Sequence, residues 1–448
     1  MADKVFLVHG WSVDETTTYQ ALHLKLAEHG FDLHEIFLGR YVSLDNEVEV
    51  KDIARAMHRE LMRHLGRAPW TQAFHMVTHS TGALVVKQWI AYHYIGKFAD
   101  RKPLKNLVFL AGPHFGSRLA HHGRSMLAHA AFFGPTGKKV LTSLELGSEF
   151  SWENNELWLD PAVWQRKGIR PYGLIGDRVE KDFFKSKIFP AGYEKGSDMV
   201  VRVPAGNLNF CRYELNGLTK RARKVSEIND VPFAALADYV HSGAKHGIMN
   251  SITTKADPRQ PRYLSLKLIL QCLRVNTRAD YDRARAGLDA VMRRTRRDRG
   301  AFAQLDFRFR DETGSPIDDY SFALGAIVKG RPKPSKTVAN THKNKITPNH
   351  FTVFLDLKEF EPQLTYFMDF NAESGTELYR YRPDPLPLKL KGHQLTDVIC
   401  ADRTTQIDVI LGREPHQNLF VFHRGDDPDL HIKWNRRGEI AKRNLPVK

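Results

Sequence analysis

The sequence is poor in cysteine: it has three, Cys211, Cys272 and Cys400, and they lie far apart. Three scattered cysteines exclude a disulfide-rich scaffold and a zinc module built on paired cysteines. Long apolar runs are missing too. No segment approaches the roughly 18 apolar residues that a membrane-spanning helix needs, so we expect no integral membrane protein of the helical class.

A secretory signal is also missing. Asp3 and Lys4 lead directly into the apolar stretch 5–8, and no cleavage-like site of small residues follows it. We therefore expect the chain to be cytoplasmic as synthesised, with any export through a signal-independent secretion system.

The overall composition is that of a globular protein. Of the 448 residues, 42% are hydrophobic and 26% are charged, which excludes a disordered chain. The length predicts two or three domains of about 150 residues each. Lysine and arginine (67) exceed aspartate and glutamate (51), which gives a net charge of +16. Such a charge is compatible with binding to a nucleic acid or to an anionic membrane surface, but it does not require either partner.

The first half alternates short apolar runs with helical patterns. The runs are continuous, as in strands covered on both faces, and the segments between them carry apolar residues at helical spacing. This alternation predicts a largely parallel sheet flanked by helices. Strands are predicted at 5–8, 36–38, 74–77, 107–111 and 172–175, and helices at 17–29, 50–65 and 82–94.

The pattern changes after about residue 257. Apolar and polar residues alternate there with a period of two, which predicts an antiparallel sheet or sandwich. One helix is predicted at about 280–294, and a basic, proline-rich loop at 329–336. The predicted strands lie at 264–270, 305–309, 351–355, 364–370, 407–411 and 419–422.

The strongest chemical signal is the segment 78–82, Thr-His-Ser-Thr-Gly. It lies between a predicted strand and a predicted helix, where a sharp turn would expose the Ser80 hydroxyl above the sheet. The usual pattern is Gly-x-Ser-x-Gly. Gly82 keeps the second glycine, but Thr78 replaces the first. Taken alone, the segment is equally well interpreted as an ordinary strand-to-helix turn.

Two further segments supply the context. His9, Gly10 and Trp11 close the first predicted strand, and a strand that ends in His-Gly presents backbone N–H groups to the serine with no side chain between them. The backbone N–H groups of Trp11 and Thr81 are then the predicted oxyanion-hole donors. The third segment, Gly-Pro-His-Phe-Gly-Ser at 112–117, follows the fourth predicted strand.

Together these three motifs resemble those of lipase-like α/β hydrolases. The resemblance is strongest to the glycosylphosphatidylinositol-inositol-deacylase-like branch, which includes phospholipases that bacteria inject as type VI secretion lipase effectors. It covers about the first 255 residues. It implies an α/β-hydrolase catalytic domain over 1–256 with a cap inserted at about 117–170. The remaining residues, 257–448, are predicted to form a β-rich accessory domain with a basic surface.

The resemblance also implies an acid and a base after the serine. Asp198, in Gly-Ser-Asp-Met-Val-Val, resembles the acid loop of lipases, and Asp177 is the alternative. His246, in Lys-His-Gly-Ile-Met, resembles the histidine segment of the family, and His241 is the alternative. The order Ser80, Asp198, His246 is that of α/β hydrolases. No metal and no cofactor are expected.

These features predict a serine lipase or phospholipase that cleaves acyl esters of lipids through an acyl-enzyme. The apolar residues of the cap fit an acyl-chain pocket as well as plain core packing. A soluble carboxylesterase or acyltransferase with the same triad is one alternative. An inactive hydrolase fold that serves as a binding module is another.

Three basic clusters, at 220–224, 293–299 and 329–345, bear on the partners. A solvated surface explains them, and so does attraction to anionic lipid headgroups, worth about 1 kcal/mol per basic residue near the membrane. The predicted partners are a lipid or phospholipid substrate and an anionic membrane contacted peripherally. Nucleic acid ranks lower because no reader motif accompanies the charge. The second half is also a candidate for binding a delivery or immunity protein.

Overall fold

The computed structural model contains two hydrophobic cores, each built around a six-stranded sheet. In the part of the chain that the structure describes, no helix is both long and apolar enough to cross a bilayer. The structure describes residues 2–10, 21–36, 45–65, 73–94, 102–118, 120, 137–160, 163–178, 194–219, 221–361, 363–376, 378–381, 388–391, 397–415, 432–434 and 440–443.

The first sheet is entirely parallel. Its strands are β1 (Asp3–Val8), β2 (Phe31–Ile36), β3 (Phe74–His79), β4 (Leu104–Leu110), β5 (Arg170–Gly176) and β8 (Phe233–Leu236). The spatial order is β2-β1-β3-β4-β5-β8. The inner strands are buried nearly throughout, as expected for strands covered on both faces. The edge strand β2 is more polar, and its Asp32 pairs with Lys4 at 2.9 Å.

Helices connect and cover these strands. The helix α2 has one apolar stripe, in which Val50, Ile53, Met57 and Leu61 are buried at helical spacing. The described α-helices are α1 (Leu22–Glu28), α2 (Val50–Leu65), α3 (Gly82–Trp89), α4 (Lys138–Leu144), α5 (Glu149–Leu159), α6 (Leu264–Leu273) and α7 (Arg278–Arg299). A π-helical turn, Ile90–Tyr94, continues α3.

The second sheet is mixed rather than antiparallel throughout. Its strands are β6 (Phe210–Asn216), β7 (Arg221–Ile228), β9 (Phe302–Asp311), β12 (Val338–Lys343), β13 (His350–Asp356) and β17 (Thr404–Leu411). Their order is β12-β13-β9-β17-β6-β7. The strand β17 runs parallel to both of its neighbours, and the other pairs are antiparallel.

A four-stranded antiparallel sheet packs into the same second core. Its order is β11-β10-β14-β16, with β10 (Tyr320–Val328), β11 (Arg331–Pro334), β14 (Thr365–Ala372) and β16 (Leu388–Lys391). Stacked aromatic rings fill the space between the sheets, including Phe309 on Tyr320 with centroids 3.9 Å apart. Two short pairs complete the fold: β15 (Tyr379–Tyr381) with β18 (Arg413–Pro415), and β19 (Ile432–Trp434) with β20 (Ile440–Arg443).

Two of the predicted elements are wrong. The segment 264–270 is not a strand but lies in α6, because its leucines also recur at helical spacing and the helix is buried on almost every side. The predicted loop 329–336 contains β11, which pairs with β10. The predicted strand 36–38 overlaps only the end of β2, and residues 37–38 lie outside the described residues, as does the predicted strand 419–422.

The two cores divide the chain differently from the predicted ranges 1–256 and 257–448. The helices α6 and α7 follow residue 257, yet their buried residues Leu266, Ile269 and Leu288 belong to the first core. The strands β6 and β7 precede residue 257, yet they lie in the second sheet. The chain therefore passes between the two cores more than once, and each core contains segments from both halves of the sequence.

A charged cluster joins the second sheet to the helix α5. Asp408 on β17 accepts hydrogen bonds from Arg308 on β9 at 2.7 Å and from Arg212 on β6 at 2.9 Å. Both guanidinium groups stack on Trp152 of α5, at 4.5 Å and 5.6 Å from the ring centroid. Burial opposes ionisation of Asp408, but the two guanidinium groups outweigh it and hold its pKa below the ordinary value.

We expect Asp408→Asn to lower the free energy of unfolding by about 3 kcal/mol at pH 7, because two largely buried guanidinium groups lose the buried carboxylate that they share and keep only one exposed glutamate each. The pKa of Asp408 is lowered in the folded state. The stabilisation that its ionised carboxylate provides is therefore present above about pH 4 and is lost as the pH falls through the folded-state pKa. Urea unfolding across this range measures it. The control Asp282→Asn, in an exposed pair with Arg278, should change stability by no more than about 0.5 kcal/mol. An equal effect of both variants would contradict the buried cluster.

Candidate active site

The turn between β3 and α3 holds Ser80 in a constrained conformation. Its φ angle is +53°, in the left-handed region that non-glycine residues rarely adopt. The Ser80 N–H donates to the carbonyl oxygen of Leu110 on the neighbouring strand at 3.0 Å. A Cβ atom on Gly82 would overlap the carbonyl oxygens of Val8 and His9. The glycine therefore lets the turn approach the end of β1, as in a nucleophile elbow.

Gly10 is the second position where only hydrogen fits. A Cβ atom there would lie 2.9 Å from the Cβ of Ser80 and 3.4 Å from its Oγ. The end of β1 thus passes directly beside the serine, as the His-Gly motif predicts. Thr81 lies at the start of α3, and its N–H stays a predicted oxyanion donor. Trp11, the other predicted donor, lies outside the described residues.

The structure brings Ser80, His241 and Asp198 into one hydrogen-bonded array. His241 Nε2 lies 3.0 Å from Ser80 Oγ, and His241 Nδ1 lies 2.9 Å from Asp198 Oδ2. An ionised carboxylate only accepts hydrogen bonds, so Nδ1–H donates to Asp198 and leaves Nε2 free to accept the serine proton. The His241 side chain is largely buried and that of Asp198 completely so, which keeps bulk water from competing for these bonds.

The backbone also fixes the acid. Asp198 Oδ1 accepts from the N–H groups of Val200 at 2.9 Å and Val201 at 2.7 Å. The carbonyl oxygen of Asp198 accepts from the His241 N–H at 2.9 Å. The carboxylate therefore cannot rotate away from His241 without breaking bonds inside its own loop. Met199, within this loop, has a φ of +81°, in the left-handed region that favours glycine.

His246, the preferred sequence candidate for the base, does not contact Ser80; His241, the alternative, does. The chain after β8 folds back on itself, so that Val240 N–H donates to the carbonyl oxygen of His246 at 2.9 Å. Gly243, with a φ of +117°, makes this reversal possible. Motif resemblance favoured His246. In the structure, however, His241 lies beside the acid loop and its imidazole meets Ser80 Oγ, and the chain reverses before it reaches His246.

Asp177, the alternative acid, lies near the array without joining it. It follows β5, and it accepts a backbone hydrogen bond from Gly196. Burial, followed by the nearby carboxylate of Asp402, raises its pKa to about 7. The carboxylate that accepts the described hydrogen bond from His241 Nδ1–H is that of Asp198 instead.

His79, next to the nucleophile, supports the imidazole from behind. Its Nε2–H donates to the carbonyl oxygen of His241 at 3.1 Å, and the two rings lie 4.9 Å apart. Burial lowers the pKa of His79 to about 3, so the ring stays neutral. This contact was not predicted, and the only sequence feature that indicates it is the place of His79 directly beside Ser80.

The second sheet holds the acid loop from the opposite side. Arg202, 1% exposed, pairs with Glu194 through two hydrogen bonds of 2.8 Å and 3.0 Å. Its guanidinium group also lies 4.4 Å from the ring centroid of Phe354 on β13. A Cβ atom on Gly196 would overlap the ring of Phe302 on β9. Residues of the second core therefore shape the loop that carries Asp198.

In the part of the chain that the structure describes, no group of three or more His, Cys, Asp or Glu side chains is arranged to hold a metal ion.

Comparison with known proteins confirms the fold. No family model and no curated protein matches the sequence. Among solved structures, phospholipase PlaB from Legionella pneumophila matches with a TM-score of 0.83 and 26% identity, over 99% of this chain and 100% of that one. A complex of the same phospholipase with thio-NAD matches equally well. Lipase BlEst2 from Bacillus licheniformis matches 46% of this chain at 18% identity, with a TM-score of 0.34. The predicted α/β-hydrolase fold with an added β-rich part is thus confirmed.

We expect Gly82→Ala to lower the free energy of unfolding by about 3 kcal/mol, because its methyl group meets backbone carbonyls that cannot move aside. Gly287→Ala is the matched control: it lies within α7, and the nearest atoms to an added Cβ belong to the flexible amide of Gln271. That change should be neutral or stabilise by up to about 1 kcal/mol. Chemical unfolding of both variants checks the difference, and equal stabilities would refute the close approach of the elbow to β1.

Proposed function

We propose that the chain is a serine lipase of the phospholipase type, acting through Ser80, His241 and Asp198. It is a carboxylic ester hydrolase, and the observation that carries the mechanism is the continuous hydrogen-bonded array from Ser80 Oγ through His241 to Asp198. The preference for His246 as base is replaced by His241 in this proposal. The predicted oxyanion donors, Trp11 and Thr81, remain part of it.

In the proposed reaction His241 Nε2 takes the proton of Ser80 as its Oγ attacks the ester carbonyl carbon. Asp198 holds the imidazole in the required tautomer and stabilises the imidazolium that forms. The same His241 then returns the proton to the leaving alcohol, which departs and leaves an acyl group on Ser80. Water, deprotonated by His241, attacks this acyl-enzyme and releases the fatty acid, which restores the free serine.

A lipid substrate is supported by the likeness to a phospholipase over nearly the whole chain. The charge of +16 favours an anionic membrane as the surface on which the substrate is met. Arginines in the last turns of α7 are largely exposed, with Arg294, Arg297 and Arg299 at 77%, 76% and 44%. The finer parts of the proposal are the deacylase-like branch and delivery as a secretion effector with an immunity or delivery partner; the sequence motifs alone support them.

The test of the activity is fatty-acid release from vesicles of phosphatidylcholine and phosphatidylglycerol. Ser80→Ala should lower the rate by about a thousandfold or more, because the nucleophile is lost. Circular dichroism confirms that the variant is folded. If the wild type ignores vesicles but cleaves short soluble esters with the same dependence on Ser80, the soluble-esterase alternative replaces the lipase. If the protein cleaves neither substrate and a serine-reactive phosphonate does not label Ser80, the inactive binding module replaces the lipase.

A second comparison identifies the base. His241→Gln should lower the hydrolysis rate by about a thousandfold or more, because the serine proton then has no acceptor. His246→Gln is the matched control and should keep the rate within a few-fold of the wild type. Rates on a soluble ester, with melting temperatures recorded for both variants, give the measurement. A larger loss for His246→Gln than for His241→Gln would reverse the assignment.

The same design separates the two acids. Asp198→Asn should cost at least about a thousandfold in rate, since an amide favours the wrong tautomer of His241. Asp177→Asn should be active, because its neutral amide resembles the protonated carboxyl that burial favours at this position.

A further inference from the structure

Two of the three cysteines, Cys211 and Cys400, lie side by side in the second core. Cys211 is on β6, and the register of the parallel pair places it opposite Thr405 of β17. Its Sγ lies 3.3 Å from Thr405 Oγ1. The turn 397–403 before β17 folds back over this point and places the Cys400 thiol beside that of Cys211.

The turn itself is held in this position. Thr405 Oγ1 donates to the carbonyl oxygen of Val398, and the Cys400 thiol lies 3.7 Å from the carbonyl oxygen of Asp397. Tyr213, two residues after Cys211, donates to the same Asp397 oxygen at 2.9 Å. The nearness of the two thiols therefore follows from sheet register and side-chain hydrogen bonds.

The two thiols differ in access and in acidity. Cys211 is 1% exposed, whereas Cys400 is only partly buried. The hydrogen bond from Cys211, assisted by the charge of Arg403, lowers the pKa of Cys400 to about 7 despite its burial. The same hydrogen bond, together with burial, raises the pKa of Cys211. An accessible, acidic thiol beside a buried one is the arrangement of an attacking and a resolving cysteine.

We propose that Cys400 and Cys211 form a redox-active dithiol that closes to an intrachain disulfide by reaction with a small-molecule disulfide. The Cys400 thiolate attacks one sulfur of the small disulfide, whose S–S bond breaks and releases one small thiol. Cys211 then loses its proton and attacks the Cys400 sulfur, which expels the second small thiol. The pair is oxidised by two electrons, and the small disulfide is reduced to two thiols.

Closure would act on a turn that reaches the catalytic domain. Asp402 in this turn pairs with Arg296 of α7, and its carbonyl oxygen accepts from the Asn207 side chain at 2.7 Å. The backbone N–H of Phe302, whose ring contacts Gly196 in the acid loop, donates to the Asp402 carboxylate. A disulfide between Cys400 and Cys211 would fasten this turn to β6, so we expect oxidation to raise the melting temperature.

The test uses the reduced full-length protein and oxidised glutathione as the probe. The wild type should lose two of its three free thiols, and peptide mapping should find Cys211 linked to Cys400. Cys211→Ser should stop at a glutathione adduct on Cys400, and Cys400→Ser should not react, because the remaining thiols are buried. Cys272→Ala is the matched control and should form the disulfide as the wild type does.

Three outcomes would overturn the proposal. One is a wild type that keeps all three thiols under conditions in which a free cysteine is oxidised. Another is a wild type that accumulates the glutathione adduct on Cys400 as Cys211→Ser does, since Cys211 then does not resolve it. The last is a cross-link between two chains in place of the intrachain bond. Melting temperatures of the reduced variants establish that each is folded, so that none of these results reflects unfolding.

Discussion

The array of Ser80, His241 and Asp198 depends on the packing of the acid loop against the second sheet. Asp198 could not face His241 unless its loop were fixed, and the loop has little regular structure of its own. Arg202, buried between Glu194 and the ring of Phe354, supplies the fixed point. A buried guanidinium is costly unless its charge is paired and its face is covered, and both conditions are met here.

The same sheet also holds part of the predicted cap, the segment 145–152. Asn344 donates to the carbonyl oxygen of Leu146 at 3.0 Å, and His342 pairs with Glu145 at 3.2 Å. A few residues on, Trp152 is covered by the guanidinium groups bound to Asp408. The β-rich part therefore contacts both the acid loop and the segment 145–152. This gives the second half of the chain a structural role that does not depend on any partner.

The geometry of the array and the distribution of charge both support the proposed activity. The serine, imidazole and carboxylate lie in a largely buried array, where their hydrogen bonds are strong. The excess of lysine and arginine lies in large part on exposed side chains, such as those at the end of α7. An enzyme that works on a lipid surface needs both: a dry reaction centre and a surface that is attracted to anionic headgroups.

Local sequence patterns correctly predicted the elements that depend on interactions between residues close together in the sequence. The strands of the first sheet, the helix α2 and the elbow at Ser80 follow from apolar periodicity and from glycine at 82, where a side chain would meet backbone. The leucines at 264–270 led to the wrong prediction of a strand, because one short apolar run fits either a strand or a buried helix. The assignment of α6 and α7 to the first core could not be predicted from local patterns, since it depends on contacts between distant residues, 60 positions apart for Thr295 and Ala235 and 167 for Asn106 and Leu273.

The sequence by itself determined the candidates and their order along the chain: Ser80 at a predicted elbow, Asp198 or Asp177 as the acid, and His246 or His241 as the base. Only the tertiary structure decided between His241 and His246, because five residues separate them and both follow β8. The chain reverses at Gly243, between the two histidines, and the backbone bond from His241 to Asp198 fixes the imidazole that meets Ser80. Which of two neighbouring side chains meets a distant one is a matter of chain direction in space, and sequence motifs do not carry that direction.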